Sequence, residues 1–312
     1  MMTKILNFYD KLSFGWKGFL DASYTCVTIY IGVLSTIYIE SEVSFENDNY
    51  ITINIIAIAI IYIVITFLSQ YIRKVRSDKN KKIEEKNGQV IFAHSLMNNL
   101  VSKQTKKVRQ HIDCNDKIQT YEGFCCFDCM VNIVDKLYYF LESNFSEAEK
   151  TFERIDFEVT FMTKSYIDSK ITIPAFANRE GRSPISLLKR KNDPNIYDNT
   201  VTASVYRDER PIMRIIPDTS SPSEDYHQLY DGQINRIKSS IVYPVLDNAN
   251  ALLGTLVVHC NRTNFFKVNE KAFWKEILEI FSTRLAFEKS RLDLLMDPKI
   301  KQILNIEDEP PF

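Results

Sequence analysis

Apolar residues follow three different patterns along the chain, and each pattern predicts a different kind of structure. Near the N-terminus, residues 20–39 and 51–72 form two almost uninterrupted apolar stretches, and Asp21 is the only charge in them. Each stretch reaches the roughly 20 residues that a helix needs to cross the hydrocarbon core of a bilayer. We expect two transmembrane helices; the alternative is a pair of helices or strands buried in a soluble core.

The middle of the chain has three segments with helical patterns, which differ in how charged or apolar they are. Residues 77–88 carry mixed charges, which predicts either a helix that extends into the cytosol or a solvated linker. Residues 90–109 show a loose helical stripe of apolar side chains. Residues 121–145 are apolar almost all round, so we expect a buried helix there.

The C-terminal half alternates between short strand-like and helical patterns. Two apolar runs around the polar turn 247–250 predict a β-hairpin. Residues 269–296 have apolar positions at helical spacing and predict an amphipathic helix. The further expected strands span residues 155–163, 169–177 and 210–216, the hairpin strands span 240–246 and 252–259, and short helices are expected at 199–206 and 225–236.

Local charge orients the two N-terminal apolar stretches. Lysine and arginine residues flank them, at residues 4–17 and 73–82, whereas residues 40–50 between them contain four acids and no base. Positively charged flanks remain on the cytoplasmic side of a membrane, so both termini are expected in the cytoplasm. Small and weakly polar residues recur on one face of the first stretch, at Thr25, Thr28, Gly32 and Ser35. Such a face packs helices closely, within one hairpin or between hairpins of a homo-oligomer.

Composition narrows the function classes. Lys and Arg number 39 and Asp and Glu number 40, which predicts no nucleic-acid partner. With only 8 glycines, the chain has no phosphate-binding glycine pattern, and no catalytic motif is present, so we expect neither a cofactor nor an enzyme. Cys126 and Cys129 have the spacing of half a zinc site, but the second pair that a structural zinc site needs is absent, and core packing is the preferred interpretation. His94 is interpreted as an ordinary exposed or capping histidine rather than a phospho-acceptor.

From about residue 140 to residue 292 the sequence resembles a GAF domain, the α+β sensor module. Three stretches carry the resemblance: "TVTASVYRDERPIMRIIPD", "SSIVYPVLDNANALLGTLVVHC" and "NEKAFWKEILEIFSTRLAFE". The resemblance implies an antiparallel sheet with the last helix on one face and a ligand crevice on the other. It also implies small molecules as ligands, cyclic nucleotides among them.

The resemblance places the crevice beside the third strand, the short helices and the hairpin. The arginines in these segments suit a planar or anionic ligand, because a guanidinium presents forked donors. Each polar side chain there is also consistent with a surface position, and some GAF domains bind no ligand and only dimerise. The candidate ligand-binding residues are Thr200, Ser204, Arg207, Arg214, Tyr226, Arg236, Ser239 and Ser240.

Together these patterns predict a membrane-anchored α+β protein with two transmembrane helices, a helical linker and a GAF-like antiparallel sheet flanked by helices. The expected parts are a hairpin at residues 1–76, a linker at 77–139, a sensor domain at 140–296 and a tail at 297–312. We expect a homo-oligomer in a bacterial inner membrane. A nucleotide would control this membrane effector, and its role would be in bacterial defence. The alternative is a non-catalytic scaffold whose GAF-like domain dimerises and recruits a signalling partner.

Overall fold

The computed structural model describes residues 32, 48–113, 126–146, 154–164, 171–181, 201–208, 211–221, 226 and 233–297. It describes only the backbone of residues 48–59, 61–65, 68–69, 107–108, 110–113 and 234. The chain divides into two compact units, Met1–Glu85 and Lys86–Phe312. Apart from Gly32, the first apolar stretch lies outside the described residues.

One long helix, α1, runs from Asp48 to Asp113. The sequence predicted an apolar helix, a charged segment and a second helix here, and the charged segment 77–88 is helical too. Lysine and glutamate dominate this segment, and both are good helix formers with low entropic cost in a helix. Within the side chains that the structure describes, no helix has an apolar stretch long enough to cross a membrane.

The second unit contains a five-stranded antiparallel sheet and its covering helices. The predicted α+β arrangement of an antiparallel sheet flanked by helices is therefore confirmed. In chain order the elements are α2 (Cys126–Phe145), β1 (Phe157–Lys164), β2 (Ile171–Asn178), α3 (Val201–Arg207), β3 (Arg214–Ile216), α4 (Gln233–Arg236), β4 (Ser239–Leu246), β5 (Leu252–Cys260) and α5 (Lys271–Met296).

The hairpin β4–β5 lies in the middle of the sheet, whose strand order is β2-β1-β5-β4-β3. Asp247 fixes the turn, because its Oδ1 accepts hydrogen bonds from the backbone N–H groups of Ala249 and Ala251. Asn250 adopts a left-handed conformation with φ of 62°, which asparagine tolerates better than most residues. The predicted hairpin is confirmed to within one residue at each strand end.

One predicted strand is shorter in the structure, and one predicted helix is described only in part. The third strand begins at Arg214 instead of residue 210. Pro211 has no N–H to donate, and a proline at the start of an edge strand limits the pairing that can form there. The helix expected at residues 225–236 is helical at Gln233–Arg236, and of the residues before it only Tyr226 is described.

The main core lies between one face of the sheet and helices α2 and α5. Alternate residues of the central strands, among them Phe161, Tyr243 and Leu256, point into it. From the helices come Phe140 and Phe281, whose ring centroids lie 6.4 Å apart. The opposite face carries a smaller cluster of Met162, Val242 and Val257 under Val205 of α3. Helices α2 and α5 thus cover one face, and α3 covers part of the other.

Candidate functional site: a polar row on the α3 face of the sheet

A row of polar side chains crosses the central strands on the face that α3 covers. Successive residues of a strand point to opposite faces, so Glu158, Ser240 and His259 share a face with Met162, Val242 and Val257. Strand register aligns them, because His259 pairs with Ser240 on one side and with Glu158 on the other. Asn178 of β2 follows Glu158 in the same row. We call Ser240, His259, Glu158 and Asn178 the polar row.

Ser240 and His259 form a hydrogen-bonded pair, in which the Oγ–Nδ1 distance is 2.9 Å. Ser240 is fully buried. Burial lowers the pKa of His259 to about 4 from its ordinary value of 6.5, because desolvation penalises the imidazolium. At neutral pH the ring is therefore uncharged, with one donor and one acceptor nitrogen.

Glu158 is a carboxylate with little access to water and a weak partner. Its side chain is only 14% exposed, and its ion pair with Arg236 has an N···O distance of 3.7 Å, longer than a hydrogen bond. Burial raises the pKa of Glu158 above its ordinary value, and the nearby positive charge of Arg236 opposes that effect. A carboxylate in this position gains from any further donor that approaches it.

Hydroxyl groups continue the polar character of this face beyond the polar row. The hydroxyl of Thr160 is buried and finds no hydrogen-bond partner within the described part of the chain, and the hydroxyl of Thr255 is buried beside that of Tyr206. Tyr206 of α3 donates its hydroxyl to the carbonyl oxygen of Met162 at 3.1 Å, and burial raises its pKa. The α3 face therefore has polar groups at depth, which is uncommon for a face whose only task is packing.

A cavity of about 260 Å³ lies at one end of this face. Glu158 and His259 of the polar row line it, so two central strands contribute polar groups to it. Arg179 makes an ion pair with Asp156 at 3.4 Å beside it. The other side chains that matter for its charge or polarity are Asn178, Glu180, Asn235, Arg236 and Asn261. This cavity is smaller than the 300–1,000 Å³ of a drug-sized ligand site.

Of the residues that the sequence predicted as ligand-binding, two belong to this region. Ser240 is in the polar row, and Arg236 lines the cavity and faces Glu158. Ser239, its neighbour on β4, points to the other face, where its hydroxyl donates to the carbonyl oxygen of Arg262 at 2.7 Å. A one-residue step along a strand reverses the face, which explains why Ser239 and Ser240 differ.

Four further predicted residues, all of them described, do not line the cavity. Ser204 donates to the carbonyl oxygen of Val201 within α3 at 2.7 Å, and Arg207 at the end of that helix is exposed. Arg214 forms an ion pair with Asp208 at 2.9 Å. Tyr226 accepts a hydrogen bond from Gln233 at 3.0 Å. Thr200 lies outside the described residues.

Sequence reasoning missed Glu158 and His259, two of the three side chains of the polar row that also line the cavity. A signal for them existed in the strand patterns. In "FEVTFMT" and "TLVVHC" these residues occupy strand positions of the parity opposite to the main core. Both strands are central, so a charged or imidazole side chain at such a position is unusual unless it is paired or functional.

Cys126 and Cys129 lie on helix α2, away from the cavity, whereas Cys260 at the end of β5 lines the cavity. Gln104 of α1 donates a hydrogen bond to the sulfur of Cys129 at 3.1 Å, and burial raises the pKa of Cys129 to about 11. A thiol with this pKa is protonated at neutral pH and a poor nucleophile. Cys114 and Cys125 lie outside the described residues. Among the described side chains, no group of three His, Cys, Asp or Glu is placed to hold a metal ion.

Several solved structures are similar to this chain at low sequence identity. A putative GAF sensor protein from Burkholderia vietnamiensis is 13% identical, with 62% of this chain and 98% of that chain covered at a TM-score of 0.34. The GAF domain of an Acinetobacter phosphoenolpyruvate-protein phosphotransferase is 12% identical, with 62% and 95% covered at 0.37. A free methionine-R-sulfoxide reductase from Neisseria meningitidis is 15% identical, with 54% and 82% covered at 0.36.

No protein-family model matches the sequence, and no curated protein matches it significantly.

Proposed function

We propose that the protein is a membrane-anchored sensor whose GAF-like unit binds a small cytosolic ligand at the α3 face. The observation that carries this proposal is the placement of Glu158 and His259 in the wall of one cavity. Placing desolvated polar groups there costs stability unless something binds them. A binding role explains why these polar groups are placed there, because they supply directional contacts to a ligand.

Membrane anchoring rests on the N-terminal sequence pattern and on the surface of α1. Two apolar stretches with charged flanks predict a hairpin with both termini in the cytoplasm. Within the second stretch, Ile60 is 56% exposed and Phe67 is 69% exposed. Large apolar side chains at such exposure are favourable against lipid and unfavourable against water. A bacterial inner membrane is the proposed location.

The proposed consequence of ligand binding is a change in how hairpins associate. The small-residue face of the first apolar stretch would bring hairpins together in a homo-oligomer, so that the membrane leaks when ligand is present. A nucleotide in a defence pathway is the most specific form of this proposal. The described site offers a phosphate only Arg236, already facing Glu158, and Arg179, paired with Asp156. We therefore propose the broader class of small ligand.

A specific observation also favours a scaffold as a second candidate. Tyr139 of α2 is 52% exposed and Phe287 of α5 is 51% exposed. Exposed aromatic side chains of this size occur at surfaces that bind partner proteins. In that function the GAF-like unit dimerises and recruits a signalling partner, and the membrane stays intact.

A leakage assay on the full-length chain in liposomes separates these functions. Dye release is measured without additive, with cyclic AMP, and with a cytosolic metabolite extract passed through a small-pore filter. A ligand-controlled effector releases dye only with an additive, and His259→Gln reduces that release at least tenfold. His94→Gln serves as the matched control, because His94 is exposed on α1. Release that no additive changes would contradict the effector, and partition of the chain into the soluble fraction would contradict the anchor.

A further inference from the structure

We propose that the cavity selects a small organic cation that also carries a hydrogen-bond acceptor, with the cation on Glu158 and the acceptor on Nε2 of His259. This inference rests on the proposed ligand-sensing function and names the ligand class for it. It reverses the anionic class that the arginines of the sequence suggested.

The charges of the cavity wall favour a cation. Three carboxylates and two guanidinium groups line it, which gives a net charge of −1 when His259 is neutral. Arg179 already has Asp156 at 3.4 Å. An anionic ligand would add a negative charge beside Glu158. An ammonium or guanidinium group would instead lie against a carboxylate whose one ion-pair partner among the described residues, Arg236, is 3.7 Å away.

The Ser240–His259 pair fixes which hydrogen-bonding group the imidazole presents. The Ser240 hydroxyl is fully buried, and Nδ1 of His259 is its one hydrogen-bond partner within the described chain. A hydroxyl proton needs an acceptor, so the satisfied arrangement has Ser240 donating to Nδ1. The ring proton then resides on Nε2, which becomes a donor. Ser240 is thus a positioning residue, and the complementary ligand group is an acceptor.

Strand geometry sets the spacing of the two ligand groups. Glu158 and His259 are directly opposite each other on adjacent antiparallel strands, where Cβ atoms lie about 4.5–5.5 Å apart. A cationic nitrogen and an acceptor separated by two or three bonds can therefore reach both side chains. The cavity of about 260 Å³ has room for a ligand larger than this pair of groups.

The polar row is not arranged for nucleophilic catalysis. A serine nucleophile needs an accessible hydroxyl and a histidine that an acid orients. Ser240 is fully buried, and the ion pair of Glu158 is with Arg236. The same three residue types therefore serve recognition, with Ser240 in the role of orienting group and His259 in the role of donor.

Four probes of similar size separate the contributions of charge and acceptor. Ethanolamine carries a cation and an acceptor, propylamine carries the cation alone, ethylene glycol is neutral and glycolate is an anion. Dissociation constants of the full-length chain are measured by ligand-observed NMR at constant ionic strength, with cyclic AMP as a nucleotide probe. We expect ethanolamine to bind at least tenfold more tightly than glycolate and about threefold more tightly than propylamine.

Two variants assign this preference to the cavity. Glu158→Gln keeps the shape and removes the charge, so the preference for ethanolamine over ethylene glycol should disappear. Glu276→Gln, on the exposed side of α5, should retain it. If Glu158→Gln does not fold, by circular dichroism, the comparison of ethanolamine with glycolate on the unmodified chain still decides the ligand class.

The outcomes distinguish the ligand class from the sensor function. Tighter binding of ethanolamine that depends on Glu158 supports the inference. Tighter binding of glycolate or cyclic AMP overturns the cation class and leaves ligand sensing in place. A preference for ethanolamine that Glu158→Gln retains overturns the site. Failure of every probe to bind overturns the cation class, and ligand sensing is then decided separately by dye release with the metabolite extract.

Discussion

The two faces of the central sheet are built from the same three strands and have opposite chemistry. On the face toward α2 and α5, strands β1, β4 and β5 present Phe161, Tyr243 and Leu256. On the face toward α3, the same strands present Glu158, Ser240 and His259. Side chains alternate between the two faces along a strand, so each strand contributes both to the packed core and to the face where we propose that the ligand binds.

Aromatic packing explains why the first face can support the second. Trp274 of α5 contacts Phe145 at 5.6 Å and Phe266 at 5.0 Å between ring centroids, and Phe145 contacts Phe265 at 5.6 Å. Each such pair adds about 0.5–1.5 kcal/mol beyond the burial of apolar area. A face with this much packing tolerates the cost of desolvated polar groups on the opposite side of the sheet.

The largest loss of stability should come from removing a buried aromatic ring from the face toward α2 and α5. Phe281 of α5 is fully buried, so Phe281→Ala should reduce the free energy of unfolding by about 3–5 kcal/mol. Urea unfolding of the full-length chain measures it. Phe287→Ala on the same helix is the matched control, because Phe287 is 51% exposed and should change stability far less. Similar losses from both variants would mean that this face is not the stabilising one.

The next effect should come from protonating His259. Its folded pKa of about 4 lies below the ordinary 6.5, so the unfolded chain binds the proton more tightly and stability is lost as pH falls from 6.5 to about 4. Each pKa unit corresponds to about 1.4 kcal/mol, and the ring retains some surface toward the cavity, so the loss is at most about 3 kcal/mol.

Replacing His259 checks this pH dependence. In His259→Gln the part of the acid loss between pH 6.5 and pH 4 that His259 causes should disappear, as followed by the urea midpoint at each pH. His94→Gln, at an exposed site on α1, should leave the profile unchanged. Equal profiles for His259→Gln and the unmodified chain would show that the histidine is not held neutral by the fold.

A smaller loss of stability is expected from crowding the contact between β5 and its neighbour β1. A Cβ atom on Gly254 would lie 2.6 Å from the carbonyl oxygen of Met162 and 2.6 Å from Cε2 of Phe161. Since the carbonyl belongs to the backbone, β1 and β5 must separate, and we expect Gly254→Ala to cost about 1–3 kcal/mol. Gly88→Ala is the control, because nothing lies within 4 Å of its added Cβ. It should stabilise α1 by up to about 1 kcal/mol.

The smallest effect should have the opposite sign. Burial raises the folded pKa of Glu158 above 4.5, so its contribution to stability is present below pH 4.5 and is lost as pH rises through the folded pKa. Glu158→Gln should therefore be slightly more stable than the unmodified chain at pH 7 and equally stable at pH 3.5. Thermal unfolding at both values tests this, with Glu276→Gln as control. Destabilisation at pH 7 would mean that Arg236 compensates the burial of the carboxylate.

Sequence periodicity predicted most of the sheet and its helices, because those elements follow local patterns. The hairpin needed only two apolar runs around a polar turn, and α5 needed only helical spacing from residue 269. The third strand was predicted to begin too early in the sequence. The effect of Pro211 depends on how this edge strand pairs with its neighbour, and the local sequence does not show that pairing. The charged segment of α1 could be read as helix or linker, since propensity alone does not decide between them.

The candidate site was predicted less completely, because it depends on pairing between distant residues. Glu158 meets His259 across strands that are 101 positions apart in the chain, and no local pattern contains that register. The sequence predicted Arg214 as a ligand-binding residue because it does not show the ion pair that Arg214 forms with Asp208. Ser239 and Ser240 could be separated only by strand parity, which assigns Ser240 to the polar row and Ser239 to the opposite face.

The central claim is that a ligand binds the α3 face while the aromatic face stays unchanged. Hydrogen–deuterium exchange of the full-length chain, with and without ethanolamine at saturating concentration, tests it most directly. We predict slower exchange in peptides covering β1, α4 and the end of β5, with no change in the peptide covering residues 271–285 of α5. Protection confined to α2 and α5, or no protection in β1 and β5 under conditions where binding is measured, would contradict the claim.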